Sequence, residues 1–452
     1  MRIPRKLLLA LPVLFALYFY GLTSMGVVGP DEPRYAAIGR EMAQSGDWIT
    51  PRLWGQPWFE KPPLLYWLTA AGFRLGLGPE LAPRLPVAIL SAWFLLFYFF
   101  RLRREFGERA AWFSFLMLAT SGGWLAYSHV AVTEIPLATM FCGSMLLALP
   151  WVRSGGRRGL VFGGVLLGLA VLAKGLVPLV LALPLFWVGR RRWRDLLTFC
   201  LTTGAVAAPW YVACYWQNGW PFIDVLFIQH HLGRFVSAEL QHAQPWWFYL
   251  PVIAGLLCPW APMLVGIGKV EWQEPRRLLL LLWFAFGLLF FSASTNKLPG
   301  YVLPLLPAAA ALIGIRMATA PIRFVLPLSV LLMALGPVAA AVLPAAIASG
   351  LSRASAADVW WPGVVAAVLC AAGIAWWERR DFAAAMDGSV LAVACGMVWL
   401  IGVSFPAINQ AASARPLWES GVRCQNDHLR GVRYGLNYYA GRELPACGES
   451  GR

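Results

Sequence analysis

The chain reads as an all-α polytopic membrane protein. Three observations predict this: apolar runs long enough to cross a bilayer recur from end to end, only 13% of the 452 residues are charged while 59% are hydrophobic, and basic residues gather in alternate loops. A soluble domain carries roughly 25% charged residues, and a spanning helix needs about 20 apolar ones.

In chain order the apolar runs predict about thirteen spans, near 7–28, 85–100, 110–127, 131–151, 160–173, 175–189, 196–215, 246–267, 278–292, 301–315, 322–343, 361–377 and 389–405. The fifth and sixth are separated by Lys174-Gly175, with Pro178 just beyond. They read as two spans or as one broken span, and a lysine between apolar runs favours a turn at the interface. Residues 2–20 have a basic start and an apolar run but no small-residue cleavage site, and Pro30-Asp31-Glu32 follows. A retained first helix is expected.

The basic residues test this map independently. With the N-terminus cytoplasmic, the inward segments hold 21 of the 37 Lys and Arg but 8 of the 22 acids, which leaves +13 inside and +2 outside. Every second loop is basic, as the positive-inside rule requires. The formal charge of +15 is therefore mostly a topology signal. Nucleic-acid binding is excluded as a function class, because the arginines are spread over short loops without a recognition motif.

The outward loops are unequal. Residues 29–84 form the longest, Trp216–Pro245 the next, Ser292–Gly300 a short one carrying Lys297, and a polar tail follows Pro406. Within the first, Pro33 followed by Tyr35, Ile38 and Met42 and then Gly46 predicts an amphipathic helix lying in the membrane plane. A second is expected from Pro62-Pro63 through Leu64, Leu65, Trp67 and Leu68 to Gly72. The tail shows two short strand-like runs, 431–435 and 436–439, and suggests a small α/β cap on the outer face. Six cysteines lie singly in or beside apolar spans as packing residues. Cys424 and Cys447 fall in the tail, where they are either two thiols or a disulfide closing a 23-residue loop.

The outer face offers carboxylates (Asp31, Glu32, Glu60, Glu134), cations (Arg34, Lys61, Lys174, Arg234, Lys297) and histidines (His129, His230, His231, His242). Charge near lipid is costly and persists where it works. Acid, base and anion-binding groups on one face suit group transfer from a phosphate leaving group to an oxygen nucleophile, without naming the reaction. Blander readings stand beside this: Asp31 as an N-cap, lysines snorkelling to headgroups, and histidines as interfacial hydrogen-bonding residues. For Arg74 and Arg84 snorkelling is the expectation.

The runs Asp31-Glu32-Pro33-Arg34-Tyr35-Ala36, 41–53 and Phe59-Glu60-Lys61-Pro62-Pro63-Leu64-Leu65-Tyr66-Trp67 resemble the GT-C membrane glycosyltransferases of the aminoarabinose transferase (lipid A modifying) and protein O-mannosyltransferase superfamily. Weaker similarity continues at 133–137, 173–178, 231–235, 245–251 and 297–304 and fades after about residue 315. The resemblance implies a GT-C transmembrane domain over 1–405, with 29–84 as its first periplasmic loop and 406–452 as a small periplasmic segment. It implies transfer of a sugar from a polyprenyl-phosphate donor to a lipid or envelope acceptor, on the periplasmic side of the bacterial inner membrane. Asp31, Glu32 and Glu134 are the expected catalytic acids, Asp31 serving as base for a hydroxyl acceptor or orienting an anionic phosphate one. Glu134 stands where an aspartate is expected. Lys61, Lys174, Arg234, Lys297 and Tyr301 are expected at the carrier phosphate, where fixed cations stabilise growing leaving-group charge. Glu60 with His230 or His231 is a candidate site for a divalent metal, Zn²⁺ or Mg²⁺; no organic cofactor is implied.

A transporter is the rival of another class. Against it, the sequence has no inverted repeat and its charges concentrate at one face rather than the midplane. A flippase of a lipid-linked glycan shares the topology but not the 31–67 motif, and a protein O-glycosyltransferase stays open as an alternative.

Overall fold

A computed structural model describes residues 4–233, 244–269, 273–349, 359–425 and 429–447. Among them eight helices are long and apolar enough to cross a membrane: Leu81–Phe106, Glu134–Ser154, Arg190–Asn218, Pro275–Ala293, Pro299–Thr319, Val325–Ala348, Trp361–Glu378 and Phe382–Ala412. All eight coincide with expected spans. A ninth arises if Trp246–Leu256 and Ala261–Gly268, bent by 115° at the break that holds Pro259, count as one.

The other four expected spans fall short of that test for identifiable reasons. The first is the helix Arg5–Phe19, 15 residues with Pro12 inside it. The third is split into Glu108–Ala119 and Gly122–Ser128. The fifth, Arg157–Lys174, carries Arg157, Arg158 and Lys174 at its ends. The sixth breaks into Val177–Leu181 and Leu183–Val188, each with proline in its first turn. Proline lacks the amide proton that a continuous helix needs there.

Glu134–Ser154 and Pro299–Thr319 are the most enclosed of the eight, 78% and 83% buried over their apolar windows, and form the centre of the bundle. Near the prolines of the second, side chains satisfy backbone acceptors that hydrocarbon cannot. The Trp283 indole N–H donates to the Pro304 carbonyl at 3.1 Å and the Tyr98 hydroxyl to that of Pro307 at 2.8 Å.

Both loop helices form where the sequence placed them, as Asp31–Ser45 and Leu64–Arg74. Gly46 closes the first in the left-handed region at φ 74°, its amide bonded to the Met42 carbonyl. Between the helices a short antiparallel hairpin pairs Arg52 with Pro57 and Leu53 with Gln56. The first helix is more enclosed than an interfacial one, with Glu32 through Gly39 all buried.

The tail corrects the expectation of strands. Residues Arg430–Ala440 form one helix. Val432, Leu436 and Tyr439 recur at helical spacing, and the helix packs Leu436 with Ala414 and Leu444 in a small apolar centre of its own. A period-2 pattern was also present in Val432, Tyr434 and Leu436, and packing decided between the two. Cys424 and Cys447 form a disulfide.

Candidate active site on the loop face

The segment between the first helix and Asp31 is held from below by one buried ion pair. Arg84, one turn into its span, places Nε 2.7 Å from Glu32 Oε1 and Nη2 2.8 Å from Oε2. Its remaining donors reach the carbonyls of Leu22 (2.9 Å), Met25 (2.6 Å) and Gly26 (2.9 Å). Glu32 also accepts from the amides of Val28 at 2.9 Å and Ala131 at 3.0 Å. All five guanidinium protons and the four acceptor positions of the carboxylate are thereby used. The snorkelling expected of Arg84 is overturned: its side chain is 0% exposed, because loop carbonyls supply the partners that headgroup water would otherwise give. Glu32 is enclosed in the same pair.

Asp31 is oriented differently. Pro30 occupies the N-cap, so Asp31 is the first helical residue and its carboxylate turns to Arg34 three residues on. Asp31 is 44% exposed at its side chain, Arg34 only 5%. The Arg34 guanidinium also faces both Glu60 oxygens at 3.4 Å and donates through Nε to the Pro30 carbonyl at 2.9 Å. Burial works against its charge, but Glu60 and Asp31 more than offset this and raise its pKa. Lys61 donates to the Glu60 carbonyl at 3.1 Å.

A second cluster gathers residues from three distant segments. Lys174 Nζ lies 2.6 Å from Glu134 Oε1 and 4.8 Å from the centre of the Tyr301 ring. Gly300 permits the approach, since a Cβ there would sit 2.7 Å from Glu134 Cγ and 2.7 Å from the Tyr127 hydroxyl. Lys297 is buried and donates to the carbonyls of Ser294 and, at 2.9 Å, Gln244. Burial lowers its pKa.

Two buried tyrosines accompany the first cluster. Tyr35 and Tyr66 have ring centres 5.8 Å apart. Burial raises the Tyr35 hydroxyl well above its ordinary pKa, and the charges of Asp31 and Glu134 both add to the shift. Tyr66 is raised in the same way by burial and then by Glu60. Both remain neutral hydroxyls, Tyr35 under the charge of carboxylates from both clusters and Tyr66 under that of the first alone.

Beside Arg157–Lys174 runs an apolar cavity of about 540 Å³, lined by Leu167, Val171, Phe186, Phe199, Gly204 and Tyr211 among others. Val171 is one turn below Lys174, so a charged end and a hydrocarbon groove share one helix.

Of the candidate residues, the structure brings together Asp31 and Glu60 through Arg34, and Glu134, Lys174 and Tyr301. His230 and His231 lie within the helical segment Asp224–Gly233, with side chains outside the described residues, and Arg234 and His242 lie outside them altogether. Among the described residues no three His, Cys, Asp or Glu side chains converge as metal ligands, and Glu60 is committed to Arg34. His129 is buried beneath the face, its ring nitrogens 2.9 and 3.3 Å from the carbonyls of Leu125 and Tyr20. Reading the sequence missed the part played by Arg34, although its i,i+3 spacing from Asp31 was a usable signal.

A family model described as dolichyl-phosphate-mannose-protein mannosyltransferase matches residues 4–228. An undecaprenyl phosphate-alpha-4-amino-4-deoxy-L-arabinose arabinosyl transferase of Pseudomonas aeruginosa is 34% identical over 316 residues, covering 66% of this chain and 57% of the relative. A second such transferase, from Pseudomonas fluorescens, is 34% identical over 326 residues, covering 68% and 55%. The crystal structure of ArnT from Cupriavidus metallidurans bound to undecaprenyl phosphate superposes with a TM-score of 0.81 at 25% identity, covering 98% of this chain and 86% of that one. The chain belongs to the aminoarabinose-transferase-like GT-C superfamily. The GT-C architecture and a multi-pass membrane protein are thus what the sequence led us to expect. The aligned part spans little more than half the length of the curated relatives. The GT-C superposition nevertheless extends through the last third of the chain, where sequence similarity fades.

Proposed function

We propose that this protein transfers a sugar from a polyprenyl-phosphate carrier to a lipid A-like or other envelope acceptor on the periplasmic face of the bacterial inner membrane. The observation that carries the reading is Asp31, a partly exposed carboxylate at the start of a packed helix, steered by a buried arginine. Similarity to transferases named for undecaprenyl phosphate-linked aminoarabinose, and to an ArnT bound to undecaprenyl phosphate, supports it.

In this reading the acceptor oxygen attacks the anomeric carbon, the carbon–oxygen bond to the carrier phosphate breaks, and polyprenyl phosphate leaves. Asp31 takes the proton of a hydroxyl acceptor or orients a phosphate one. Lys174 with Tyr301, Lys61 and Lys297, and by sequence alone Arg234, stabilise the departing phosphate. Glu134 holds Lys174 until the donor arrives. The cavity below Lys174 takes the start of the polyprenyl tail. Glu32 is assigned to the scaffold, not to the chemistry, because every acceptor position on it is occupied. A divalent metal would need a ligand beyond Glu60 from His230 or His231, and no step is assigned to one. The same reading has thirteen crossings with the N-terminus cytoplasmic and the tail forming a small periplasmic cap.

A protein hydroxyl is the alternative acceptor, favoured by the family model that covers the first half of the chain. Mass spectrometry of lipid A, total glycans and envelope proteins from a deletion strain separates the two, since the molecule that loses one sugar mass is the acceptor. Unchanged profiles in all three would defeat the proposal. Proteoliposomes given donor but no acceptor should show no substrate movement; uptake would point to a transporter.

A further inference from the structure

The C-terminal segment reaches the cluster around Asp31 through one side chain. The Arg34 guanidinium carbon lies 5.2 Å from the centre of the Tyr434 ring and 5.4 Å from that of Trp58. Trp58 belongs to the 31–67 motif, whereas Tyr434 comes from the helix Arg430–Ala440, 400 residues beyond Arg34. An aromatic face attracts a guanidinium, the more so away from water, and this one is almost fully enclosed.

Tyr434 is itself firmly placed. Four residues on, the Tyr438 hydroxyl donates to the Pro79 carbonyl at 2.5 Å, and Arg40 donates to the Tyr438 carbonyl at 2.6 Å. The Tyr439 hydroxyl bonds Glu80 at 2.9 Å and accepts from the Val27 amide at 3.2 Å. The disulfide Cys424–Cys447 closes the segment around this helix; beside it the Gln425 amide donates to the Pro445 carbonyl and the Cys447 amide to the Gln425 carbonyl, each at 2.8 Å. The helix that carries the ring is thus tied to the segment before Asp31 through Val27, to the Asp31 helix through Arg40, and to Pro79 and Glu80 just ahead of the span that holds Arg84.

We propose that Tyr434 is a positioning residue for the transfer site: its ring, with that of Trp58, fixes the Arg34 guanidinium that aligns Asp31 and Glu60. The inference rests on the function proposed above. It makes the C-terminal segment part of the catalytic unit, and it requires an aromatic face at 434, not a hydroxyl.

The test uses the purified full-length protein, an undecaprenyl-phosphate-linked aminosugar as donor and lipid A as acceptor. Tyr434→Phe should keep kcat and both KM values within about twofold of the parent. Tyr434→Leu and Tyr434→Met should lower kcat about tenfold or more with donor KM little changed, because displacing a catalytic group costs rate rather than donor affinity. Parent-like kcat in the folded Leu and Met variants overturns the proposal. So does a loss confined to KM, or a loss in Phe equal to that in Leu. Failure of both aliphatic variants to insert and fold would make the ring purely structural and overturns it too. Asp31→Asn runs in parallel. If it is inactive while Tyr434→Leu is not, only the positioning role falls; if it transfers normally, the function proposed above falls.

Discussion

Arg84 and Glu32 meet through two hydrogen bonds of 2.7 and 2.8 Å, and neither side chain reaches solvent. The pair spans 52 residues and ties the carbonyls of 22–26 to the start of the helix that carries Asp31. Such a pair contributes little net stability against an apolar replacement, but removing one partner strands the other charge. Arg84→Met or Glu32→Gln should each destabilise by about 3–5 kcal/mol. The double variant should lose less than the sum of the two. Thermal unfolding of the four proteins in one detergent closes the cycle, and additive losses would show that the residues do not act as a pair.

Arg34 poses a geometric question instead. Its guanidinium addresses Asp31, Glu60 and the Pro30 carbonyl at once, in three directions. A lysine ammonium keeps the charge but not the planar fork. Arg34→Lys should therefore fold normally yet transfer sugar on the order of 10²-fold more slowly, the cost of misplacing a catalytic group by about 1 Å. Parent-like turnover in this variant would mean that charge alone suffices at position 34.

Much of this site was legible in the sequence, and its limits have physical causes. Asp31, Glu60, Lys61 and the two loop helices lie within one continuous stretch, where proline, glycine and apolar spacing are local signals. Lys174, Glu134 and Tyr301 were named because they lie in short stretches that resemble the family, but nothing in the sequence states that Lys174 and Glu134 touch. Arg84 was misread for a related reason: its partner is 52 residues away, and an arginine at the mouth of an apolar run ordinarily reaches for headgroups. The tail was misread because Val432, Tyr434 and Leu436 fit a strand period while Leu436 and Tyr439 fit a helix. Only the packing against Ala414 and Leu444 separates those periods.

The Lys174–Glu134 pair makes opposite predictions for its two members. If the carrier phosphate replaces Glu134 as the partner of Lys174, Lys174→Met removes a charge-assisted contact worth roughly 1.5–3 kcal/mol, and donor KM should rise on the order of 10–100-fold. Glu134→Gln removes the competitor while leaving the cation, so donor KM should not rise even where kcat falls. Steady-state kinetics with donor varied at saturating acceptor distinguishes them. The same rise in KM for both would show that the ion pair matters only as structure.

The cavity beside Arg157–Lys174 can be narrowed without disturbing its walls. Gly204 lines it, and a Cβ added there meets no atom within 4 Å, so a larger side chain points into open space. Gly204→Phe should leave folding nearly unchanged, since glycine in a helix interior is itself unfavourable by roughly 0.5–1 kcal/mol relative to alanine. If the groove holds the polyprenyl tail, the variant should lose affinity for a long-chain donor. Each buried CH₂ displaced costs about 0.8 kcal/mol, so losing even two should raise KM roughly tenfold or more. A donor with a tail too short to enter the groove should be used equally by both proteins. Comparing the two donors on parent and variant isolates the groove from the charged site, because Lys174 and Glu134 are untouched in either protein. An equal effect on both donors would place the tail elsewhere on the molecule.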